Sequence, residues 1–298
     1  MKLKKNNSLS LDKFINFSLY DKKSGYYMKK NPFGQESDFI TAPNISRLFS
    51  EMIAIWIISF WQSLGSPKKF NLVELGAGNG EMMKIIIESF QNFPFFLKSC
   101  NFIIHEKSPT LINIQKKYPG ILQIKFQDAL NFEYSKIKDQ KIFLVANLPY
   151  HIATTLVIKW LRYIKKFESI IVMVQREVAD RLSAKVSTKF YGRTSVLVQL
   201  HSNVKKIFDV SPENFHPKPK VDSSIIELTP KSNLNFNYEN IDELLKICFA
   251  QRRKKLKNNL NKISHSNLQK IINSGVDLNL RPQNISIDNY LMMSKLLF

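Results

Sequence analysis

The stretch Val73-Glu-Leu-Gly-Ala-Gly-Asn-Gly80 places three glycines directly after a run of apolar residues. Glycine adopts positive φ without a steric clash and lets the backbone approach a ligand closely. The G-x-G-x-G spacing differs from the G-x-G-x-x-G of dinucleotide-binding turns, and no Gly-Lys-Ser/Thr follows to hold a phosphate. The stretch therefore predicts a strand, a ligand-binding turn and a helix, although a plain tight turn would produce the same pattern.

Strand-like and helix-like segments alternate from residue 70 onward. Apolar or alternating runs predict strands at 70–75, 101–106, 121–126, 141–146, 169–175, 199–209 and 222–228. Amphipathic patterns predict helices at about 80–92, 109–117, 151–166 and 177–185. This alternation is typical of an α/β fold, in which helices cover both faces of a largely parallel sheet.

The two ends of the chain lack this alternation. Residues 10–64 look helical, but glycines and prolines up to Pro43 indicate a long loop in the middle of this segment. After Pro230 the strand signal disappears and short amphipathic helices follow. The predicted domains are a helical and loop extension at 1–66, a sheet domain at 67–230 and a helical domain at 231–298.

The composition is that of a basic chain without metal or disulfide patterns. Its 44 Lys and Arg against 24 Asp and Glu give a formal net charge of +20. This charge predicts a polyanion as partner, although a Lys-rich genome would leave the same excess. Two distant cysteines and five histidines without metal-binding spacing lead us to expect no metal and a reducing, cytoplasmic compartment. We also expect no signal peptide and no membrane partner, because the apolar stretch 52–61 is shorter than the ~20 residues of a membrane span.

The tetrapeptide Asn147-Leu-Pro-Tyr150 follows the predicted strand at 141–146. Open α/β sheets build their sites at the carboxyl ends of such strands. The Asn147 amide and the Pro149 carbonyl can accept hydrogen bonds from an exocyclic amino group, and Tyr150 offers a face on which a base can stack. This combination predicts a methyltransferase that acts on an amino nitrogen.

Two acidic residues at strand ends complement the glycine turn. Glu106 ends the second predicted strand and could accept both hydroxyls of a ribose, and Asp128 is positioned for an adenine amino group. Either carboxylate could instead cap the next helix. Together they indicate S-adenosyl-L-methionine as cofactor in a class I (Rossmann-like) methyltransferase sheet. The residues predicted to bind it are Gly76, Gly78, Glu106, Asp128, Ala129 and Asn147.

From about residue 122 to the end, the chain resembles the KsgA family of small-subunit rRNA adenine N6,N6-dimethyltransferases. The matching stretches are Gln127-Asp-Ala129, Asn147-Leu-Pro-Tyr150, Gln175-Arg-Glu-Val178, Tyr191-Gly-Arg193, Phe215-His-Pro-Lys-Pro-Lys-Val-Asp222, Phe249-Ala-Gln-Arg-Arg-Lys254 and Arg281-Pro-Gln-Asn-Ile-Ser286. The resemblance implies two successive methyl transfers to N6 of an adenine in 16S-type rRNA during ribosome assembly. It also implies that Asn147 and Pro149 hold the amino group, while Tyr150 and Phe215 sandwich the base.

The segment Gln251–Lys257 contains five basic residues and no acid. On about two helical turns, such a run suits phosphate contacts better than a solvated face, which normally mixes signs. The RNA-binding residues predicted are Lys185, Arg193, Lys218, Lys220, Arg252, Arg253, Lys254 and Lys255. The predicted partner is small-subunit rRNA within a 30S assembly intermediate, bound by a monomer.

Residues 8–118 resemble a second family, the MidA-like methyltransferases. The matching stretches are Leu19-Tyr-Asp21, Ser24-Gly-Tyr-Tyr27, Asp38-Phe-Ile-Thr-Ala-Pro43, Leu48-Phe49, Val73-Glu-Leu-Gly76 and Glu106-Lys-Ser-Pro109. This resemblance implies a hybrid chain with a seam near residues 118–127. It leaves two alternatives open, a protein arginine methyltransferase and an RNA-binding assembly factor whose cofactor pocket is inactive.

Overall fold

The computed structural model describes residues 42–78, 80–107, 116–131, 141–212, 220–232 and 234–298. A seven-stranded sheet with the order β3-β2-β1-β4-β5-β7-β6 forms its centre. The strands are β1 Phe70–Leu75, β2 Cys100–Glu106, β3 Leu122–Phe126, β4 Ile142–Asn147, β5 Phe167–Gln175, β6 Ser202–Val210 and β7 Ser223–Pro230.

The sheet is mixed. Strands β1 to β5 pair in parallel, whereas β7 pairs antiparallel with both β5 and β6. The α/β fold expected from the sequence is confirmed, and the antiparallel edge is an addition to the predicted parallel sheet. Residues of β1 alternate between the two faces and are buried on both, which is why all but Asn71 and Glu74 are apolar.

Helices cover both faces of this sheet. Those in the described residues are α1 Ala42–Ser63, α2 Glu81–Ser89, α3 Pro94–Ser99, α4 Ala153–Leu161, α5 Arg176–Leu182, α6 Arg193–His201, α7 Tyr238–Cys248, α8 Leu256–Asn259, α9 His265–Asn273 and α10 Ile287–Leu297. Helices α1, α2 and α3 pack on one face, where Trp56 and Phe60 contact Phe143 of β4. Helices α4 to α10 share one continuous core with the other face.

This packing continues across both predicted domain boundaries. Helix α1 belongs to the core of the sheet, and the Tyr191 hydroxyl donates to the Ile285 carbonyl at 3.0 Å, joining the sheet region to the carboxyl-terminal helices. The divisions at residues 66 and 230 therefore stay predictions. None of the helices in the described ranges is long and apolar enough to cross a bilayer.

Several predicted elements need correction. Residues 199–201, predicted as strand, belong to α6, which is buried on almost all sides. At the start of this helix the Gly192 N–H donates to Oγ of Ser195 at 3.0 Å. A helix without a polar face has no amphipathic period, so the sequence did not reveal it.

Pro43, predicted in a loop, lies in the first turn of α1, where proline is tolerated. The predicted helix at 151–166 ends at Leu161 and continues as a 3₁₀ turn, Ile164–Lys166. Most of the helix predicted at 109–117 lies outside the described residues.

Candidate active site

The carboxyl ends of four neighbouring strands bring the predicted cofactor residues into one row. In the order β3-β2-β1-β4, these ends carry Asp128, Glu106, Gly76 and Asn147. The register places Leu75 opposite both His105 and Ala146, so the four ends lie level. Since neighbouring strands lie about 4.8 Å apart, the row spans about 14 Å.

The glycine turn after β1 is open toward this row. Gly76 and Gly78 have φ of 66° and 59°, which favour glycine over any residue with a Cβ atom. A Cβ added to either residue would meet no other atom within 4 Å. The turn thus requires glycine for its backbone shape, and it faces empty space.

The carboxylate of Glu106 fastens this turn to β2. Its Oε2 accepts a hydrogen bond from the Gly78 backbone N–H at 2.9 Å. The Gly76 N–H also donates across the strands, to the His105 carbonyl at 2.9 Å. The end of the second strand therefore sets the shape of the turn that follows the first.

Asp128 combines a capping role with its position in the row. Its Oδ1 accepts from the Leu130 backbone N–H at 2.9 Å at the start of the 3₁₀ turn Ala129–Asn131, and its Oδ2 pairs with Lys107 at 3.4 Å. The hydrogen bond from Leu130 lowers the pKa of Asp128, and the charge of Lys107 adds to the effect. Asp128 therefore caps the 3₁₀ turn, which was one of the two roles that the sequence left open for it. Because its pKa is lowered, the carboxylate is ionised at neutral pH.

The tetrapeptide after β4 has one buried and three accessible members. Leu148 is buried in the core, and its N–H donates to the Met173 carbonyl at 3.1 Å. This anchor leaves Asn147 and Pro149 exposed and Tyr150 half-buried beside the row. The Pro149 carbonyl already accepts from the Ile152 N–H at 3.1 Å, so a ligand would use its second lone pair.

Tyr150 is surrounded by residues for which the sequence predicted no role. Its hydroxyl lies 2.9 Å from Oγ of Ser223, the first residue of β7. Nearby, the Arg176 guanidinium pairs with Asp222 at 3.1 Å and with Asp209 at 3.6 Å. Both Arg176 and Asp222 belong to stretches that carry the family resemblance, which was a signal available in the sequence.

Glu74 is a further residue without a predicted role. It precedes the glycine turn on β1 and is buried. Burial raises its pKa to about 8, opposed by a hydrogen bond with the Met83 backbone and reinforced by the charge of Glu106. The signal in the sequence was an acidic residue in a strand whose other residues, apart from Asn71, are apolar.

The predicted RNA-binding residues are spread over several elements. Lys185 and Lys220 are exposed, as are all four members of Arg252–Lys255. Arg193 is half-buried, and its guanidinium is already paired with Asp242 of α7 at 2.5 Å. Phe215 and Lys218 lie outside the described residues.

The basic run Gln251–Lys257 was predicted to lie on about two helical turns. The structure contradicts this prediction. Helix α7 ends at Cys248, and the residues from Phe249 to Lys255 form a turn before the short helix α8. Asn259 holds this turn, since its Oδ1 accepts from the Gln251 N–H at 2.9 Å. The side chains of Arg252–Lys255 therefore belong to an exposed turn and not to one face of a helix.

The family profile described as ribosomal RNA adenine dimethylase matches residues 38–298 of this sequence. This chain belongs to the ribosomal RNA adenine dimethylase family. The match includes all four strands whose carboxyl ends form the row, and it includes residues before and after the predicted seam at 118–127. The family assignment thus requires no second ancestry for residues 38–118.

Named relatives agree with the family. The chain is 37% identical over 230 residues to a ribosomal RNA small subunit methyltransferase A from Ehrlichia chaffeensis, covering 76% of this chain and 85% of the relative. It is 36% identical over 231 residues to the protein of the same name from Pelagibacter ubique, covering 75% and 85%. The predicted KsgA resemblance is confirmed, and the chain is an rRNA adenine dimethyltransferase.

Solved structures support the same assignment. A dimethyladenosine transferase from Plasmodium falciparum superposes with a TM-score of 0.63 at 25% identity, covering 76% of this chain and 89% of that one. The 23S rRNA methyltransferase ErmE superposes with a TM-score of 0.55 at 18% identity, which shows the shared fold. The cofactor of this enzyme is S-adenosyl-L-methionine. The open glycine turn and the two strand-end carboxylates of the described site fit such a molecule, which presents hydroxyl and amino donors and carries no phosphate.

Proposed function

We propose that this enzyme dimethylates N6 of adenines in small-subunit rRNA, acting as a monomer on 30S assembly intermediates in the cytoplasm. The observation that carries the proposal is the position of Asn147 at the end of β4, level with the glycine turn that ends the neighbouring strand β1. An amide acceptor for the amino group of the base therefore lies next to the turn proposed to bind the methyl donor. The alternative of a protein arginine methyltransferase has no comparable support, because the matched relatives are named as rRNA enzymes.

The proposed chemistry depends on the position of the amino group. The N6 lone pair of adenine is delocalised into the ring, so the nitrogen is a poor nucleophile. Acceptance of its hydrogens by Asn147 Oδ1 and the Pro149 carbonyl favours a pyramidal nitrogen whose lone pair points at the methyl group. Positioning and exclusion of water then supply the rate, without a general base of shifted pKa.

Each transfer is balanced at N6. The nitrogen–carbon bond forms as the sulfonium–methyl bond breaks, and one amino proton leaves to water. S-adenosyl-L-methionine, when bound, supplies the methyl group as an electrophile. The face of Tyr150 stabilises the positive charge that develops on the base by about 1 kcal/mol. We assign Phe215 the opposite face of the base, from its place in the Phe215–Asp222 motif.

We propose distinct roles for the residues of the row. Gly76 and Gly78 lie against the methionine part of the cofactor, Glu106 accepts the ribose hydroxyls, and Asp128 with Ala129 holds the adenine of the cofactor. Asn147 lies where donor and acceptor meet. The support is the linear order of these residues along the sheet edge, which matches the order of groups along one extended ligand.

The RNA contacts are proposed to come mainly from exposed cations. The Arg252–Lys255 turn carries four of them, and Lys185 and Lys220 add two more; we extend the same role to Lys218. Such contacts hold phosphates and orient the RNA without selecting a base. The target adenine must leave its stack at an expense of a few kcal/mol, which favours looped or incompletely folded RNA.

A methylation assay tests the proposal. The purified enzyme is incubated with methyl-labelled S-adenosyl-L-methionine and one of four substrates: unmodified 30S precursors, mature 30S subunits, free 16S-type rRNA or total protein. We expect N6,N6-dimethyladenosine in the rRNA of the precursors, identified by mass spectrometry after nuclease digestion. Label found only in protein would overturn the proposal, and equal labelling of mature subunits would overturn its assembly part.

A further inference from the structure

The hydroxyl of Tyr150 is held by a residue that is distant in sequence and fully buried. Oγ of Ser223 lies 2.9 Å from the Tyr150 hydroxyl oxygen, and 73 positions separate the two residues. The Ser223 backbone pairs with Gln175 of β5 on one side and with Val210 of β6 on the other. A side chain on such a doubly paired strand has little freedom, so it provides a fixed point for the tyrosine.

Charged groups hold β7 in the register that presents Ser223. The Arg176 backbone N–H donates to the Asp222 carbonyl at 2.9 Å, and the Arg176 guanidinium pairs with the Asp222 carboxylate at 3.1 Å. The same guanidinium reaches Asp209 of β6 at 3.6 Å. The residue that precedes Ser223 is thus tied to the start of α5, and a shift of β7 by one residue would turn the serine away from Tyr150.

We propose that Ser223 is a positioning residue that sets the plane of the Tyr150 ring, and that the second methyl transfer depends on it more than the first. This inference rests on the proposed function, in which Tyr150 stacks on the target adenine. Unmodified N6 has two hydrogens for the acceptors Asn147 and Pro149. After the first transfer it has one, so stacking on Tyr150 carries a larger share of the orientation of the base.

Three variants test the inference: Tyr150→Phe, Ser223→Ala and the two combined. Each is given unmodified 30S precursors, and N6-methyladenosine and N6,N6-dimethyladenosine are quantified over time. We expect each single variant to slow the second transfer about five-fold, the effect of one uncharged hydrogen bond, so that monomethylated adenosine accumulates. The double variant is expected to be no slower than either single variant, because both changes remove the same contact.

Ser169→Ala is the matched control. Ser169 is also a fully buried serine of the sheet, and its hydroxyl donates to Glu227 at 3.2 Å near the start of β5, away from the row of strand ends. We expect its product ratio to equal that of the unaltered enzyme, while its midpoint of thermal unfolding falls as much as that of Ser223→Ala. That pattern separates positioning from a general loss of stability.

The outcomes are distinguishable. The role of Ser223 would be overturned if the unaltered enzyme dimethylates adenine but both single variants give unchanged product ratios. Additive losses in the double variant would also overturn it. In both cases the proposed function would stand. Complete absence of dimethyladenosine with the unaltered enzyme would overturn the proposed function, and this inference with it.

Discussion

The carboxylate of Glu106 accepts a hydrogen bond at 2.9 Å from the backbone N–H of Gly78, 28 residues earlier in the chain. One residue ends β2 and the other lies in the turn after β1. Because the two strands are adjacent and parallel, their carboxyl ends meet at the same edge of the sheet. The acid thus shapes the turn that we propose binds the cofactor.

Substitution of Gly78 tests that turn. Gly78→Ala places a Cβ at positive φ, which costs an L-residue roughly 1–2 kcal/mol, but it creates no clash with the protein. We expect a modest decrease in the midpoint of thermal unfolding and a much larger loss of S-adenosyl-L-methionine affinity, since the added carbon occupies the space meant for the ligand. Scanning calorimetry and titration calorimetry measure the two effects.

Gly275→Ala is the control for backbone strain. Gly275 also has positive φ, 87°, and open space around an added Cβ, but it lies after α9 in the carboxyl-terminal helices. We expect a similar loss of stability with unchanged cofactor affinity. Equal affinities in the two variants would contradict the proposed role of the glycine turn.

Replacement of Asn147 separates catalysis from RNA binding. Asn147→Ala removes the amide that orients N6, and we expect the methylation rate to fall about 100-fold, as misplacement of a reacting group does. Asn147 is exposed, so stability and RNA affinity should change little. Asn147→Asp keeps an acceptor oxygen in place and should retain more activity. A large loss of RNA affinity in Asn147→Ala would mean that the residue has another role.

The basic turn is tested by the salt dependence of RNA binding. Replacing Arg252, Arg253 and Lys254 together with Gln should weaken binding and reduce the slope of log affinity against log salt by up to about 2, at about 0.7 per phosphate contact of a single strand. The charge-matched control replaces Lys68, Lys69 and Lys98, which are exposed and lie just before the amino ends of β1 and β2, away from the row of carboxyl ends. An unchanged slope in the first variant would place the RNA elsewhere.

The pH dependence of stability tests the environment of Glu74. Its pKa is raised from 4.5 to about 8, mainly by burial. Between those pH values the folded protein holds a proton that the unfolded chain has released, so the free energy of unfolding decreases as pH rises. The decrease is at most about 1.4 kcal/mol per pH unit and ends above the folded pKa.

Glu74→Gln should remove this loss. Denaturant titrations at several pH values measure the free energy of unfolding. The value for Glu74→Gln minus that for the unaltered protein should increase as pH rises from about 4.5 to 8, because the variant has no proton to lose at this position. Glu243→Gln, at an exposed position of α7, is the control for the same chemical change without burial. A parallel pH profile for Glu74→Gln would show that Glu74 is ionised in the folded protein.

Strands β1, β4 and β5 were predictable because burial on both faces demands apolar residues at most positions. Strand β3 was predictable instead from its alternation of apolar and polar residues. The prediction for β1, 70–75, agrees with the structure at both ends. Helix α6 was missed because a helix surrounded by protein has no polar face and therefore no period to detect. The basic run was assigned to a helix because its composition favours helices, whereas Asn259 closes it into a turn.

The positions of the candidate site residues could largely be predicted from the sequence, since Gly76, Glu106, Asp128 and Asn147 each follow or end a predicted strand. Their partners were not. Nothing near Asp128 in the sequence indicates Lys107, and nothing near Arg193 indicates Asp242. Such pairings depend on which strands and helices become neighbours.

The sequence by itself determined the family, the strand–turn–helix unit at Val73–Gly80 and the tetrapeptide Asn147–Tyr150, because local residue patterns specify these features. Only the tertiary structure decided that Glu106 fastens the glycine turn and that Ser223 holds Tyr150. The physical reason is that a hydrogen bond between distant residues requires a particular strand order and register. Those are set by the packing of the whole sheet, to which every strand contributes.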